Sequence, residues 1–466
     1  MKYKFSLWFW LVLALAVRLY KITVTRCIAG DGIAYLGVAR DWLQGSGVHP
    51  VWPPLYPWLV SLLWRMGFPA ELSGQLISVI FGVLLVALVY LAGKRIFPQS
   101  IAAIACILVV FQPFLVRYSA EVLADSLYTF LLTAVIVSGW WALQEQAKAQ
   151  EGRKRIVFLT AVATGILAAL TYLTKPEGVG VLIVISIWWL WGPKISLLKT
   201  KQKWLINISM VLCAWLVFCL ISFPYLSAIK EKTGEWMISQ KQTIVFSVAL
   251  REKGYTDKFL NISPLAYAKA EPGRFFAKVG SDVLVLLGRI PDAWHPLLFL
   301  LFFIGCIGGI REKRFLAYLL TIITPFLIGY AVYHPGRRYL VNWVPLLLLF
   351  SAYGIKNINR WTRLPEWTLI LAVILVMLPK TLDPIRVSGI RWKESGNWIK
   401  DHAGRGKSVW VDDERIAFYA EARQFGSKTG GKLDIDEADY IVTEKNLDGW
   451  VKVGRVEDLN IYYGGE

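Results

Sequence analysis

Cysteine and charged residues are both scarce in this chain of 466 residues. The five cysteines show no spacing typical of metal ligands, and four of them lie within apolar runs, so we interpret them as small buried hydrophobic residues. Strong internal repeats and low-complexity segments are absent from the sequence. Charged residues make up 18% of the chain and hydrophobic residues 56%. This composition excludes a soluble multidomain protein and predicts a polytopic membrane protein.

Apolar runs with few or no charges predict about eleven membrane-spanning helices, since a span needs about 20 mostly apolar residues. The first run is interpreted as a retained anchor, although Ala14-Leu15-Ala16 loosely resembles a signal-peptide cleavage site. The 22 Trp and 20 Tyr fit a membrane protein, because their rings favour the membrane–water interface. The runs cover residues 5–17, 72–93, 96–116, 126–144, 156–174, 178–193, 204–229, 293–310, 315–336, 339–355 and 367–379.

Acidic residues are too few to balance the basic ones, which leaves a net charge of +18. Much of this excess lies in short clusters in every second loop, which is the positive-inside pattern of cytoplasmic loops. We therefore expect no nucleic-acid partner, but membrane lipids around a multi-pass protein of the bacterial inner (plasma) membrane. The clusters are Lys94/Arg95, Arg153 to Arg155, Lys194 to Lys203, Arg311 to Arg314, and Lys356/Arg360/Arg363, with Lys2 and Lys4 at the N-terminus.

The chemically interesting polar residues gather in the opposite, extracytoplasmic loops. The interiors of the spans are nearly free of charge, whereas a transporter more often carries ionisable residues near the bilayer midplane. We therefore place the active site on the outer face. The fourth outer loop, residues 227–280, is rich in basic residues that could attract lipid head groups or substrate phosphates, namely Lys230, Lys232, Lys241, Arg251, Lys253 and Lys258. The outer set comprises Asp31, His49, Arg117, Glu121, Asp125, Lys175, Glu177, His334, Arg337 and Arg338.

The C-terminal tail differs in composition from the rest of the chain. The stretches "SVWVDD", "DYIVTEK" and "NIYYGG" are typical of short strands, and "WKESGNWIKDHA" of an amphipathic helix. We predict two domains: an α-helical transmembrane domain over residues 1–381, and a small extracytoplasmic soluble α/β domain over residues 382–466.

Asp31 opens the stretch "GDGIAYLGVARDWLQG", in which apolar residues recur at helical spacing. This pattern predicts an amphipathic helix on the membrane surface. Asp31 could be an ordinary N-cap, which the local pattern alone favours. In the following stretch "HPVWPPLYPWL", Pro57 suits the first turn of a second short helix. The sequence leaves open whether Asp31 caps its helix or reacts.

A second acidic motif, "RYSAEVLADSLYTFLL", places Glu121 and Asp125 on one helix face at the outer end of a span. Two carboxylates this close need a compensating cation, and Arg117 could supply it. The alternative is a charged helix start favoured by the helix dipole. We favour a functional role, because carboxylates at a membrane rim more often serve function.

Three cations reach the same rim in "LTKPEGVG" and "HPGRRYLVNWVP", namely Lys175, Arg337 and Arg338. Arginine suits bidentate recognition of phosphate, and lysine supplies a compact positive charge. These side chains could instead only reach towards lipid head groups. A set of carboxylates and a set of cations on one face is a better signal than either alone.

The order of these motifs resembles the GT-C membrane glycosyltransferases, and most closely the bacterial relatives of the dolichyl-phosphate-mannose protein mannosyltransferases. The superfamily also contains the lipid A aminoarabinose transferases. The resemblance rests on the acid-led first loop, "PPLYPWL", "EVLADSLYTF", "TKPEG" and "RRYLVNWVPLLLL", and covers residues 1–380. It implies a GT-C fold and transfer of a sugar, with inversion, from a polyprenyl-phosphate-linked donor to an acceptor protein, lipid or glycan at the outer face.

The resemblance also implies roles for individual residues. Asp31 matches the first-loop aspartate that acts as the general base, and Glu121 and Asp125 match the second acidic motif. No cofactor is required; a divalent cation stays open, with these three carboxylates as its candidate ligands. The cations expected at the donor phosphate are Arg117, Lys175, Arg337 and Arg338, and the residues expected to contact substrate are Tyr35, His49, Tyr56, Glu177 and His334.

Two positions depart from the pattern of the relatives. Many relatives carry a second acid directly after the first, where this chain has Gly32. Many also carry a basic residue just before the paired prolines, where this chain has Trp52. The second departure shifts the expected phosphate contact to Arg337, Arg338 and Arg117.

Two other functions compete with sugar transfer. A lipid flippase or transporter would need alternating access, against which the charge-free span interiors argue. A non-catalytic scaffold that displays the C-terminal domain would need none of the outer-rim chemistry.

Overall fold

The computed structural model describes residues 7–147, 154–191, 201–256, 262–307, 312–427, 430–431, 434–447 and 450–463. The N-terminal lysines and parts of the basic clusters at 153–155, 194–203 and 311–314 lie outside these residues. Helices dominate up to residue 403. They are α1 Leu7–Thr23, α2 Gly30–Leu43, α3 Leu55–Arg65, α4 Ala70–Ile96, α5 Gln99–Phe111, α6 Pro113–Tyr118, α7 Asp125–Ala147, α8 Lys154–Tyr172, α9 Gly178–Trp191, α10 Lys201–Thr233, α11 Lys241–Glu252, α12 Pro264–Ala270, α13 Pro272–Trp294, α14 Pro296–Ile307, α15 Lys313–Val332, α16 Arg337–Val341, α17 Val344–Thr362, α18 Glu366–Leu382 and α19 Ile390–Ala403.

Within the described residues, five helices are long and apolar enough to cross a membrane, and the bent pair of α13 and α14 makes up to six. The five correspond to α4, α7, α8, α10 and α15, and two shorter apolar helices, α5 and α9, accompany them. This confirms a multi-pass membrane protein. The expected number of about eleven spans is not confirmed, because several apolar runs form helices too short to span on their own.

The apolar run 96–116 is divided, although it was expected to be one span. Gln112 separates α5 from α6, because the residue before a proline is driven out of the helical region and Pro113 can only open a new helix. The Gln112 side chain accepts the Leu115 N–H at 2.6 Å and donates to the carbonyl of Ala293 at 3.1 Å. The break therefore ties the end of α13 to the start of α6.

The C-terminal part of the chain contains a six-stranded sheet in the order β3-β2-β1-β4-β6-β5. Strand β1 pairs in parallel with β2 and β4, and the other pairs are antiparallel. Helix α19 and the short helix α20 (Glu414–Tyr419) pack on the sheet through Ile399, Val409 and Ile461. The three predicted strands and the predicted helix are present. The strands are β1 Ser408–Val411, β2 Gln424–Ser427, β3 Gly430–Gly431, β4 Tyr440–Thr443, β5 Val451–Val456 and β6 Leu459–Tyr463.

Candidate active site

Asp31 lies in the first turn of α2 but does not cap it. The N-cap position is Ala29, and no side chain accepts a hydrogen bond from the first turn. The carboxylate instead forms an ion pair with Arg338 of α16, with 2.6 Å between Oδ2 and Nη1. The alternative of a simple helix cap is therefore wrong, and the carboxylate of Asp31 lines a polar cavity.

Lys241, the first residue of α11, brings a further cation to the same place. Its ammonium group lies 4.1 Å from the ring centroid of Trp52 and 5.9 Å from that of Tyr35. The two rings contact each other edge to face at 4.8 Å. A cation from α11 therefore lies over Trp52, which occupies the position where a basic residue is expected just before the paired prolines.

Asp125 and Lys175 form a buried ion pair at 2.7 Å. The Lys175 ammonium also lies over the rings of Tyr128 and Tyr339, at 5.0 and 5.6 Å from their centroids. Each side chain is about nine-tenths or more buried in this pairing, so each charge stabilises the other. Asp125 of the second acidic motif thus holds Lys175, and Lys175 lines the apolar cavity described below.

Glu121 lies apart from the cavities, although it was expected beside Asp125. Its fully buried carboxylate accepts two hydrogen bonds from Arg386, at 3.0 and 3.3 Å, and pairs with Arg117 at 3.4 Å. Arg117 is consequently engaged with Glu121 and does not line either cavity. The four-residue spacing is helical, but residues 119–124 are irregular, so the two acids do not share a face.

Two cavities meet at Arg338, and His334 and Tyr339 also line both. One cavity of about 310 Å³ has mostly apolar walls from α9 and α15 and ends at three cations. The other, of about 670 Å³, is polar and is walled by Asp31, Arg289, Asp292 and Arg337. The apolar walls include Gly180, Ile183, Val184, Val245, Pro325, Phe326, Gly329, Tyr330 and Tyr333, and the cationic end holds Lys175, Lys241 and Arg338, with Glu177 nearby.

The remaining predicted residues divide between the cavities and the scaffold. Arg337 lines the polar cavity, held by Asp292 at 2.5 Å, and Lys380 shares that carboxylate at 2.9 Å. Two of the predicted substrate contacts, His49 and Tyr56, line neither cavity and form hydrogen bonds with the backbone. His49 Nδ1 accepts the N–H groups of residues 51 and 52, and the Tyr56 hydroxyl donates to the carbonyl of residue 74 at 2.9 Å.

The charges around Asp31 alter the proton affinities of the site. Burial raises the pKa of the Asp31 carboxyl, but Arg338 and Lys241 outweigh burial and hold it below its usual range. Burial lowers the pKa of Lys241 to about 8, although Asp31 acts in the opposite direction. Asp31 and Asp125 raise the pKa of Arg338 well above its usual value despite burial. At neutral pH the site therefore holds an ionised Asp31 beside a permanently charged arginine.

A divalent cation finds no ready set of ligands here. Among the described residues, no three His, Cys, Asp or Glu side chains gather closely enough to hold a metal ion. Asp31, Asp125 and Glu121 are each paired with a different cation of the protein. Each carboxylate is therefore already compensated by a side chain of the protein.

Sequence reasoning did not single out Lys241 and Asp292, which line the cavities, or Arg386, which pairs with Glu121. The basic content of the fourth outer loop was a signal for Lys241, but nothing in that long loop singled it out. Asp292 lies near the end of α13, at the 94° bend to α14. Pro291 and Pro296 flank this bend, but they do not indicate that Asp292 would hold Arg337. Arg386 lies beyond the segment covered by the motifs.

Close packing at position 32 explains why this chain has glycine where many relatives carry a second acid. A side chain there would begin 2.9 Å from the carbonyl oxygen of Val122 and 2.9 Å from Cγ1 of Ile28. Helix α2 therefore packs directly against the second acidic motif at this residue, which fixes Asp31 relative to the rest of the site.

We expect Gly32→Ala to lower the free energy of unfolding by about 1–3 kcal/mol through overpacking, and to reduce any activity that depends on Asp31. Gly37→Ala is the matched control, since the same helix has open space there. Thermal unfolding of both variants in detergent measures the difference. Equal stability of the two would show that α2 does not pack tightly at Gly32.

Comparison with known proteins places these features in a family context. Residues 49–239 match the family model described as dolichyl-phosphate-mannose-protein mannosyltransferase. No curated protein matches the chain by sequence. ArnT from Cupriavidus metallidurans in the apo state is 12% identical over 98% of both chains, with a TM-score of 0.63.

The same ArnT bound to undecaprenyl phosphate is 11% identical over 98% of this chain and 97% of that chain, with a TM-score of 0.64. The oligosaccharyltransferase of Archaeoglobus fulgidus, in complex with Zn and sulfate, is 14% identical over 93% of this chain and 67% of that chain, with a TM-score of 0.60. At these identities the likeness establishes the fold. The family match and the fold confirm the resemblance inferred from the motifs.

Proposed function

We propose that this chain, a membrane glycosyltransferase of the GT-C type, transfers a sugar from a polyprenyl-phosphate-linked donor to an acceptor hydroxyl or phosphate with inversion. The observation that carries the proposal is the meeting of an apolar and a polar cavity at Arg338. We place this reaction on the extracytoplasmic face of a bacterial inner membrane, because the opposite loops carry the basic clusters.

The donor lies with its isoprenoid chain in the apolar cavity and its phosphate at the cationic end. Lys241 has no carboxylate within ion-pair distance among the described residues, so its charge is available to a phosphate. Arg338 adds a planar guanidinium suited to phosphate oxygens. The binding of undecaprenyl phosphate by ArnT, which shares this fold, supports the placement.

The acceptor enters the polar cavity, where Asp31 acts as the general base. The acceptor oxygen forms a bond to the anomeric carbon while its proton passes to Asp31, and the bond from that carbon to the phosphate oxygen breaks. The electron pair leaves with the polyprenyl phosphate, whose charge the cations stabilise. Attack from the side opposite the leaving phosphate inverts the anomeric centre.

Arg338 couples donor binding to the strength of the base. In the free enzyme its guanidinium is engaged with Asp31, which holds the pKa of that carboxyl low. A donor phosphate competes with Asp31 for the same cation. When the phosphate engages Arg338, Asp31 loses part of its stabilisation and becomes a better proton acceptor. Activation of the base therefore waits for the donor.

The test is transfer by the purified protein in vesicles that contain polyprenyl-phosphate-linked sugars. We expect stoichiometric release of polyprenyl phosphate and appearance of the sugar on an acceptor, with inverted configuration. Movement of the intact donor to the other leaflet without release of polyprenyl phosphate would instead establish a flippase. A retained configuration would overturn the single-displacement mechanism.

We expect donor binding to weaken as the pH rises through about 8, because Lys241 then loses the charge that holds the phosphate. In Lys241→Arg the guanidinium keeps its charge, so the alkaline loss should move to higher pH. The affinity for a polyprenyl phosphate, measured between pH 6 and 10, reports both effects. An alkaline loss of affinity that is identical in the two proteins would remove Lys241 from the phosphate site.

A further inference from the structure

We propose that the C-terminal domain is a positioning element of the active site, in which Tyr419 holds the backbone that leads to Asp31 and Arg386 holds the second acidic motif, against which the helix of Asp31 packs. The proposal rests on the proposed function, because it gives Asp31 the role of the base. It assigns a task to the part of the chain that the motifs do not cover.

The segment that leads into α2 is held by the C-terminal domain. Thr25 and Ile385 form a parallel β-bridge, in which the Arg26 N–H donates to the Ile385 carbonyl at 3.1 Å and the Ile385 N–H to that of Val24 at 3.2 Å. The bridge ends five residues before Asp31. Helix α2 itself begins without a side-chain cap, so contacts from other parts of the chain position this connection.

Tyr419 holds the same segment from a second side. Its buried hydroxyl accepts the N–H of Ile28 at 2.8 Å and contacts both carboxylate oxygens of Glu71 at 3.3 Å. One phenol therefore joins α20, the entry to α2 and the start of α4. Cys27 packs so closely on Gly389 that a side chain at Gly389 would begin 2.6 Å from its Cβ, which fixes the depth of docking.

Arg386 extends the hold to the second acidic motif. It adopts a left-handed backbone conformation, with φ of 56°, which a residue other than glycine rarely takes. In this conformation its side chain forms the two hydrogen bonds to buried Glu121. Val122, the residue after Glu121, contacts Gly32. The contacts therefore run from the C-terminal domain through Glu121 and Val122 to the helix of Asp31.

This arrangement gives Glu121 a task other than catalysis. Its carboxylate joins Arg117 at the end of α6 to Arg386 of the C-terminal domain. The Glu121 carboxylate is buried, so the loss of either arginine would leave part of its negative charge unpaired in the protein interior. Two independent contacts, at Tyr419 and at Arg386, thus fix the position of Asp31 relative to Arg338.

The test compares Arg386→Gln and Tyr419→Phe with Arg405→Gln, which removes an exposed arginine that pairs with Glu421 inside the C-terminal domain. For the first two we expect kcat to fall between about 10- and 100-fold, because small displacements of reacting groups are costly, while KM for the donor stays within about twofold. Arg386→Lys should recover part of the loss, since it restores the charge but not the two-pronged contact.

Hydrogen exchange supplies a second readout that needs no activity. Amides of residues 24–32 should exchange faster in Arg386→Gln and Tyr419→Phe than in the unaltered protein, and not in Arg405→Gln. Unchanged exchange in both variants would overturn the mechanical link. Faster exchange with unchanged kcat would overturn the positioning role. Absence of sugar transfer by the unaltered protein would instead overturn the proposed function. The hydrogen-exchange measurement would then still show whether the C-terminal domain holds residues 24–32.

Discussion

Replacement of Asp31 by asparagine should reduce sugar transfer by about 10²–10⁴-fold, the usual contribution of a general base. Asparagine keeps the size of the side chain but cannot take the proton of the acceptor. It also frees Arg338 from the ion pair at 2.6 Å. Donor affinity should therefore be unchanged or higher, whereas kcat falls.

A lower kcat with unchanged or higher donor affinity distinguishes the loss of the general base from unfolding of the protein, which would lower both. Asp41→Asn is the matched control, because it removes a carboxylate from the same helix without touching the cavities. Isothermal titration with polyprenyl phosphate and a single-turnover transfer assay measure the two effects. Full activity of Asp31→Asn would remove the base assignment, and weaker donor binding would indicate that Asp31 organises the phosphate site instead.

The rim of the site could be predicted from the sequence because topology alone brings its parts together. Alternation of basic loops placed Asp31, Lys175 and Arg338 on one face, and the structure joins Asp31 to Arg338 and Lys175 to Asp125. Arg117 could be predicted as a partner of the second acidic motif, because it lies four residues before Glu121, but the pairs between distant segments could not be predicted. They depend on how helices pack against each other, which short motifs in separate loops do not encode.

Residues in irregular backbone account for most of what the sequence did not reveal. Glu121 and Asp125 have helical spacing, but the turn at 119–124 sends Glu121 to Arg386. Arg386 takes a left-handed conformation that tertiary contacts impose. The run 96–116 has the composition of one span, yet Gln112 and Pro113 divide it. In each case a contact distant in sequence, or a proline, overrides the periodic pattern.

Arg338 and Arg337 are adjacent in sequence and were both expected at the donor phosphate, but their surroundings differ. Arg338 lies where the two cavities meet, and its carboxylate partner is Asp31. Arg337 is bound to Asp292 and lies over the ring of Phe114 at 4.5 Å. The pair therefore offers a matched comparison between two arginines on one short helix.

We expect Arg338→Gln to lower kcat/KM by about 10²–10³-fold, as for the loss of one preorganised donor to a developing anion. Arg337→Gln should cost much less, because Arg337 lines the polar cavity but not the apolar cavity in which the donor is proposed to lie. Arg338→Lys should recover part of the loss, since lysine supplies the charge without the planar fork. Equal effects of the two glutamine substitutions on donor affinity and kcat would show that the phosphate does not lie at the junction of the cavities.

The pH profile of Arg338→Gln provides the sharpest check on the coupling of donor and base. Asp31 must be ionised to accept a proton, so activity is lost as the pH falls through its pKa. Burial raises the pKa of Asp31 and Arg338 is the largest opposing influence, so removal of Arg338 raises that pKa. The acid limb of kcat/KM should consequently move to higher pH in Arg338→Gln and stay in place in Arg337→Gln. An acid limb that does not move in Arg338→Gln would mean that the ion pair at Asp31 does not control the base.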